Sequence, residues 1–108
     1  MNVQYKKGVI ELCVLSMLAK QDRYGYDVSE NISKRIDISD GTVYPILRKL
    51  KSDGFVTTYL QEASGGPPRK YYKLTDLGRK QYQSDRTEWL GFVESVRMML
   101  EDDYDDQK

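Results

Sequence analysis

Residues 7–20, Lys-Gly-Val-Ile-Glu-Leu-Cys-Val-Leu-Ser-Met-Leu-Ala-Lys, are apolar around most of a helical wheel. Such a helix has no single wet face; it is buried on several sides and belongs at the centre of a core. At 108 residues the chain fits one domain with a small core, because surface dominates at this size, so the remaining elements must pack around that helix. Its apolar stretch from Leu12 to Ala19 is broken by Ser16 and far too short to span a bilayer. Cys13 within it reads as a small buried hydrophobe rather than a reactive thiol.

The next segments keep the helical period. Gln21-Asp22-Arg23 reads as a short connection, and a second helix from Tyr24 to Arg35 places Tyr24, Val28 and Ile32 on one face. Ser39 or Asp40 then caps a third helix over residues 40–53, whose inner face is Val43, Ile46, Leu47 and Leu50. Pro45 is tolerable there only about one turn in, and Gly54 stands where a left-handed C-cap is wanted. After Gly54 the period changes. Residues 55–62 and 69–74 are rich in aromatic and β-branched residues and read as strands, joined by the turn Ala63-Ser64-Gly65-Gly66-Pro67-Pro68. Tyr72 and Leu74 share one strand face and should pack inward. Thr75-Asp76 caps a last helix that runs to about Asp102 despite Gly78 and Gly91.

Charge narrows the function. The totals balance, 17 basic against 17 acidic residues. Residues 94–108 nevertheless hold six acidic and two basic side chains, a net of −4, which leaves +4 on residues 1–93 (15 basic, 11 acidic). The basic residues of that body cluster as Lys6-Lys7, Arg48-Lys49 with Lys51, and Arg69-Lys70 with Lys73. The absence of His excludes a Ser-His-Asp triad, a His general base and a His-ligated metal, and one Cys excludes a disulfide framework within the chain. No cofactor is implied. The start of the chain does not read as a secretory leader, and a cytoplasmic location is expected.

Three helices followed by a hairpin describe a winged helix-turn-helix, in which the third helix enters the DNA major groove and the wing reaches phosphates or the minor groove. The fold expected is therefore mainly α with a small β-hairpin. Residues 1–74 would be the DNA-binding domain, and residues 75–108 a long C-terminal dimerisation helix with an acidic tail. Thr42, Tyr44, Arg48, Lys49 and Lys51 on the third helix, with Arg69 and Lys70 on the wing, are the candidate contacts to double-stranded DNA. Of Tyr24 and Tyr26, which read first as packing residues, Tyr26 is the one whose hydroxyl could reach a phosphate. Arginine to guanine is the commonest specific pairing, while lysines neutralise phosphates. Like charge should hold the acidic end of the chain away from the phosphates.

These residues resemble a known family. Lys7-Gly8 with the apolar first helix, Tyr24-Gly25-Tyr26, Gly41-Thr42-Val43-Tyr44-Pro45 with Leu47 and Leu50, and Asp53-Gly54 match a PadR-type transcriptional regulator of bacteria. So does the string Gly65-Gly66-Pro67-Pro68-Arg69-Lys70-Tyr71-Tyr72-Lys73-Leu74-Thr75, followed by Gly78. The resemblance covers residues 7–78 and implies a homodimeric repressor on a pseudo-palindromic operator. The single last helix resembles the short PadR branch, in which small drug-responsive regulators occur.

Tyr82, Arg86, Trp89, Val93, Val96 and Leu100 follow the 4, 3, 4, 3, 4 spacing of a heptad seam, widened by Leu90, Phe92 and Met99. Three short helices already packed on one another cannot cover so broad a face, so a second copy is expected there in a two-fold dimer. Trp89 reads first as an anchor of that interface. A sharper reading, raised by the resemblance, makes it the wall of a cavity between protomers for a planar hydrophobic ligand. Two other functions compete. A winged domain can serve as a protein-docking module without DNA, but the basic third helix and intact wing favour DNA. The acidic pairs Asp102-Asp103 and Asp105-Asp106 could be imagined as a metal site, but they lie in a tail with no pocket.

Overall fold

The computed structural model describes residues 3–102, with the side chains of residues 8–39 and 41–102. The side chains of Lys6 and Lys7 and the acidic residues beyond Asp102 lie outside the described residues. Helix α1 (Val3–Lys20) is the central element that its sequence demands. Its Ile10, Val14, Leu15 and Leu18 are buried against Val28 and Ile32 of α2 (Gly25–Arg35), against α3 (Val43–Ser52), and against Val56, Tyr72 and Leu74 of a small sheet. From α3 come Val43, Ile46, Leu47 and Leu50, the four residues expected on its inner face. Each fully buried aliphatic side chain of this kind contributes roughly 1.5–3 kcal/mol. Cys13 packs half-buried against this cluster, and burial pushes its thiol pKa up, away from thiolate chemistry.

Two local expectations are corrected. The second helix does not begin at Tyr24. Tyr24 is extended (φ −67°, ψ 135°) and with Arg23 forms a two-residue strand, β1 (Arg23–Tyr24). The hairpin strands are β2 (Val56–Gln61) and β3 (Arg69–Leu74), and β1 joins them in an antiparallel sheet of order β1-β3-β2. Arg23 pairs with Tyr72 and Tyr24 with Tyr71, so the backbone of Tyr24 is taken by the sheet before a helix can claim it. The second correction concerns Ser39, one of the two expected caps; the side chain of the other, Asp40, lies outside the described residues. The third helix starts as a tight 3-10 turn over Asp40–Thr42, in which the Thr42 N–H donates to the Ser39 carbonyl (3.0 Å). With that donor occupied, the Ser39 hydroxyl caps no backbone N–H and meets the Thr42 hydroxyl instead, at 3.0 Å. Pro45 is the third residue of α3, inside the first turn, where a missing N–H is cheapest.

The other end of α3 closes as expected. Gly54 takes φ +82°, Phe55 N–H donates to the Leu50 carbonyl (2.9 Å), and Gly54 N–H donates to Lys51 (3.1 Å). This is the paired-bond Schellman closure, which turns the chain sharply from helix into β2.

A second junction follows β3. Thr75 N–H donates to the Phe55 carbonyl (3.0 Å), and the Thr75 hydroxyl donates to the Gly54 carbonyl (2.8 Å) while accepting from Gly78 N–H (2.9 Å). One side chain therefore caps α4 (Asp76–Glu101) and pins it to the turn that ends α3. Gly78 is there because nothing larger fits: a Cβ at that position would stand 2.0 Å from the Phe55 carbonyl oxygen.

The first half of α4 lies along α1. Tyr82, expected at the head of the dimer seam, is half-buried and packs against the core of its own protomer. From Leu90 to Glu101 every residue is exposed, and the 26-residue helix, about 39 Å long, draws the molecule out to 67 Å. Among the described residues no helix is long and apolar enough to cross a membrane.

The Thr75 junction is directly testable. Gly78→Ala must displace backbone, so we expect a loss of about 3 kcal/mol in urea unfolding at fixed protein concentration. Thr75→Val keeps the shape and removes both hydroxyl bonds, and should lose about 1–2 kcal/mol in the same measurement. A Gly78→Ala midpoint within error of wild type would show that the crossing is looser than described.

Candidate nucleic-acid interface

Helix α3 buries Val43, Ile46, Leu47 and Leu50, and that face determines where its other side chains go. Tyr44, Arg48 and Lys51 follow i, i+4, i+7 and share one exposed side. Lys49 is turned to the opposite flank. Its ammonium lies 3.3 Å from Glu11 of α1 and 3.1 Å from Asp53, and these two partners, Asp53 first, raise its pKa. The structure thus separates two neighbours that the sequence groups as one cluster. Arg48 stands with Tyr44 and Lys51; Lys49 is a tie between α3 and α1.

Thr42 is half-buried with its hydroxyl in the Ser39 contact. Tyr44 leans toward α2, where its ring and that of Tyr72 close over Gly25. Burial pushes the Tyr72 phenol up, with the Arg48 charge opposing and Tyr44 adding to the shift. Tyr26 is more than half exposed (53%) and borders a shallow hollow with Ser29, Ser33 and Tyr44. Tyr26 and Tyr44 therefore flank the cleft between the two helices of the helix-turn-helix.

The wing is the turn between β2 and β3, with Gly65 at φ +75°. The register pairs Val56 with Leu74 and Gln61 with Arg69, so the tip is residues 62–68. Side chains alternate across a strand, so Arg69 and Lys70 leave β3 on opposite faces. Tyr72 and Leu74, on the Lys70 face, are buried as expected. Arg69 points the other way, and its guanidinium lies 5.0 Å from the centre of the Tyr24 ring, a cation–π contact.

That outer face carries a feature the sequence reading missed. Tyr24, Tyr71 and Tyr59, one from each strand, form a cross-strand row with ring centres 6.1 and 5.7 Å apart. Tyr26 extends it, 6.2 Å from Tyr24. The Tyr59 hydroxyl donates to Asp22 (2.7 Å), which raises its own pKa and closes the row over the corner between α1 and β1. A hairpin centred on Gly65 already opposes residues 59 and 71, so half of the row was available from turn geometry. The other half needed β1, which two residues alone do not announce.

The last helix places Trp89 half-buried, its ring 6.2 Å from that of Phe92, between two hollows. Val93, Val96 and Leu100 continue along the exposed half of α4, with Leu100 80% exposed. Arg97 pairs with Glu94 (2.6 Å) and with Glu101 on the same helix, holding the Glu94 carboxyl below its usual range.

Comparison with known proteins agrees with this arrangement. Residues 14–84 match the model of the transcriptional regulator PadR-like family. A crystal structure from Streptococcus mutans UA159 is 39% identical, with a TM-score of 0.82 over 88% of this chain and 89% of that one. The PadR-like transcriptional regulator of Bacillus cereus strain ATCC 14579 is 31% identical, with a TM-score of 0.83 over 93% of this chain and 99% of that one. The negative transcriptional regulator PadR of Bacillus subtilis is 25% identical over 100 residues, which span 89% of this chain and 53% of that longer protein. The winged helix with its exposed α3 and long α4 is the fold of a family of regulators, not of enzymes. The chain belongs to the PadR-like family of transcriptional regulators.

Proposed function

We propose that the chain is a repressor that binds a pseudo-palindromic operator as a homodimer, with α3 of each protomer in the major groove of one half-site and the wing on the flanking backbone. The observation that carries this reading is the shared exposed side of Tyr44, Arg48 and Lys51 on α3, with Lys70 on the wing. Arg48 is the candidate for a base edge, and Lys51, Lys70 and Arg69 are candidates for phosphates. Thr42 and Lys49 play a smaller part, because the hydroxyl of one and the charge of the other already have partners within the protomer. The uncovered half of α4 supplies the dimer surface, and a two-fold pair would set two α3 helices about one DNA turn apart.

Trp89 supports the effector part of the proposal. It borders a hollow of about 600 Å³ whose apolar wall includes Leu12 and Phe92 and whose rim carries Asp85 and Glu88. A planar, hydrophobic, cationic molecule fits that chemistry: the indole offers a flat face and the carboxylates a counter-charge. Such a ligand would act by favouring one spacing of the two α3 helices over another.

Two experiments test these roles. In a mobility-shift titration against the protein's own upstream DNA, affinity should fall steeply with salt, and Lys70→Ala should lower the salt slope by about one. Arg48→Ala should cost about 1–3 kcal/mol, whereas Lys49→Ala should have the smaller effect; absence of a salt-sensitive shift at any sequence would remove the operator reading. Separately, a planar cationic dye should quench Trp89 fluorescence saturably and change DNA affinity at the same concentrations. A broad panel of such compounds without quenching would remove the effector.

A further inference from the structure

Arg69 opens β3 directly after the tip of the wing, and it is exposed. A long charged side chain in such a place samples many rotamers, and ordering it against a partner weakens binding by about two- to tenfold. Arg69 is already ordered. Its guanidinium carbon lies 5.0 Å from the centre of the Tyr24 ring, and among the described residues no carboxylate pairs with it. Contact with a ring face leaves the positive charge uncompensated and keeps the planar N–H fork available to an oxyanion. Lys70 leaves the opposite face of β3, and among the described residues neither a ring nor a carboxylate holds it.

The Tyr24 ring is itself held in place. Its backbone pairs with that of Tyr71, and the two ring centres lie 6.1 Å apart. Tyr71 stacks in turn on Tyr59, with ring centres 5.7 Å apart and planes 20° apart. The Tyr59 hydroxyl donates to Asp22 at 2.7 Å, and Asp22 stands just before β1, the strand that carries Tyr24. The row therefore closes on the segment from which it starts. Tyr24 cannot swing away without parting an aromatic pair or breaking that hydrogen bond. It is also the residue that immediately precedes α2. A side chain of the wing is thereby fixed relative to the helix-turn-helix, and not only relative to its own hairpin.

We propose that Tyr24 is a positioning residue for DNA binding: its ring, anchored through Tyr71 and Tyr59, presents the Arg69 guanidinium in one orientation to a phosphate beside the wing. The proposal rests on the operator reading and adds to it a residue that acts through another. Arg69 supplies the charge, and the Tyr24 ring removes the entropy loss of ordering that charge at the moment of binding. Tyr24 adds no charge of its own. Losing its ring therefore lowers affinity while leaving the number of neutralised phosphates, and with it the salt slope, unchanged.

The test is a double-mutant cycle on the full chain, read by binding to the protein's own upstream DNA across a salt series, with helix content checked by circular dichroism. Each homodimer carries two such arginines, so Tyr24→Leu should weaken binding at least about fivefold at an unchanged salt slope. Tyr24→Phe keeps the ring face and should bind within about twofold of wild type. Arg69→Ala should lower the salt slope by about one per protomer. Adding Tyr24→Leu to Arg69→Ala should then weaken binding by no more than about twofold further. Arg69→Lys leaves the tyrosine row intact and decides the matter if Tyr24→Leu fails to fold. It keeps the charge but loses the planar stack, and should weaken binding at least about threefold. If Tyr24→Leu weakens binding as much without Arg69 as with it, the ring is merely structural and the proposal is overturned. Tyr24→Phe as weak as Tyr24→Leu, or Arg69→Lys as tight as wild type, overturns it too. If Arg69→Ala changes neither affinity nor slope, the positioning role is lost while the operator reading stands on the other contacts. A wild-type chain with no salt-sensitive binding to any sequence removes the operator reading and this proposal with it.

Discussion

One hydroxyl holds the two halves of this molecule in a single geometry. The Thr75 side chain accepts from the first turn of α4 and donates to Gly54, the left-handed residue that ends α3. The backbone of Thr75 meanwhile bonds Phe55, and Phe55 presents its carbonyl to the one place on α4 where Gly78 leaves room. Helix α3 and helix α4 are thus joined through about three residues of backbone rather than through a flexible linker. In a PadR-like regulator this matters because α3 is the element proposed to meet DNA and α4 the element that projects from the protomer. Movement of one relative to the other must break hydrogen bonds or push an atom into the Phe55 carbonyl. Any change of angle between two α4 helices would therefore reach α3 as a rigid rotation, with little lost in between.

The charges divide along the same line. The chain is neutral in total, yet its winged body is basic and its helical end acidic. Arg48 and Lys51 lie on the open side of α3, whereas Lys49, adjacent in sequence, is absorbed by Glu11 and Asp53. Such exposed pairs contribute about 0.2–1 kcal/mol each, so Lys49 is worth more as a tie that sets how α3 sits on α1 than as a source of stability. On the wing Arg69 is drawn back over Tyr24, and the tyrosine row behind it fastens β1 to the hairpin. The wing is thereby braced against the corner that leads into α2, a second connection between the parts of the helix-turn-helix.

Much of this was legible in the residues. The all-round apolar segment named the central helix, and the i, i+3, i+4, i+7 pattern of Val43, Ile46, Leu47 and Leu50 named the buried face of α3. Gly54 marked a left-handed closure, and β3 lies where its alternation placed it, with Tyr72 and Leu74 inward. These features are local: each depends on a period, a forbidden φ or a fixed turn, and a short window of sequence carries all the information. The misplacement of Tyr24 has the opposite cause. Tyr24 was drawn into a helix by the spacing of Val28 and Ile32, but it lies in β1 because Tyr71, 47 positions later, offers it a ladder.

By itself the sequence determined the order of the helices and the hairpin, the composition of the core, the closing end of α3 and the segregation of charge, because period, chirality and side-chain size act between near neighbours. Only the tertiary structure decided which cations remain available and which are absorbed. It also decided that a third strand completes the sheet, that one tyrosine from each strand lines up behind Arg69, and that the α3 and α4 ends meet at Thr75. Those outcomes depend on distances between residues far apart in the chain. Such distances are set when α1 is buried from several sides at once, and no window of sequence contains them.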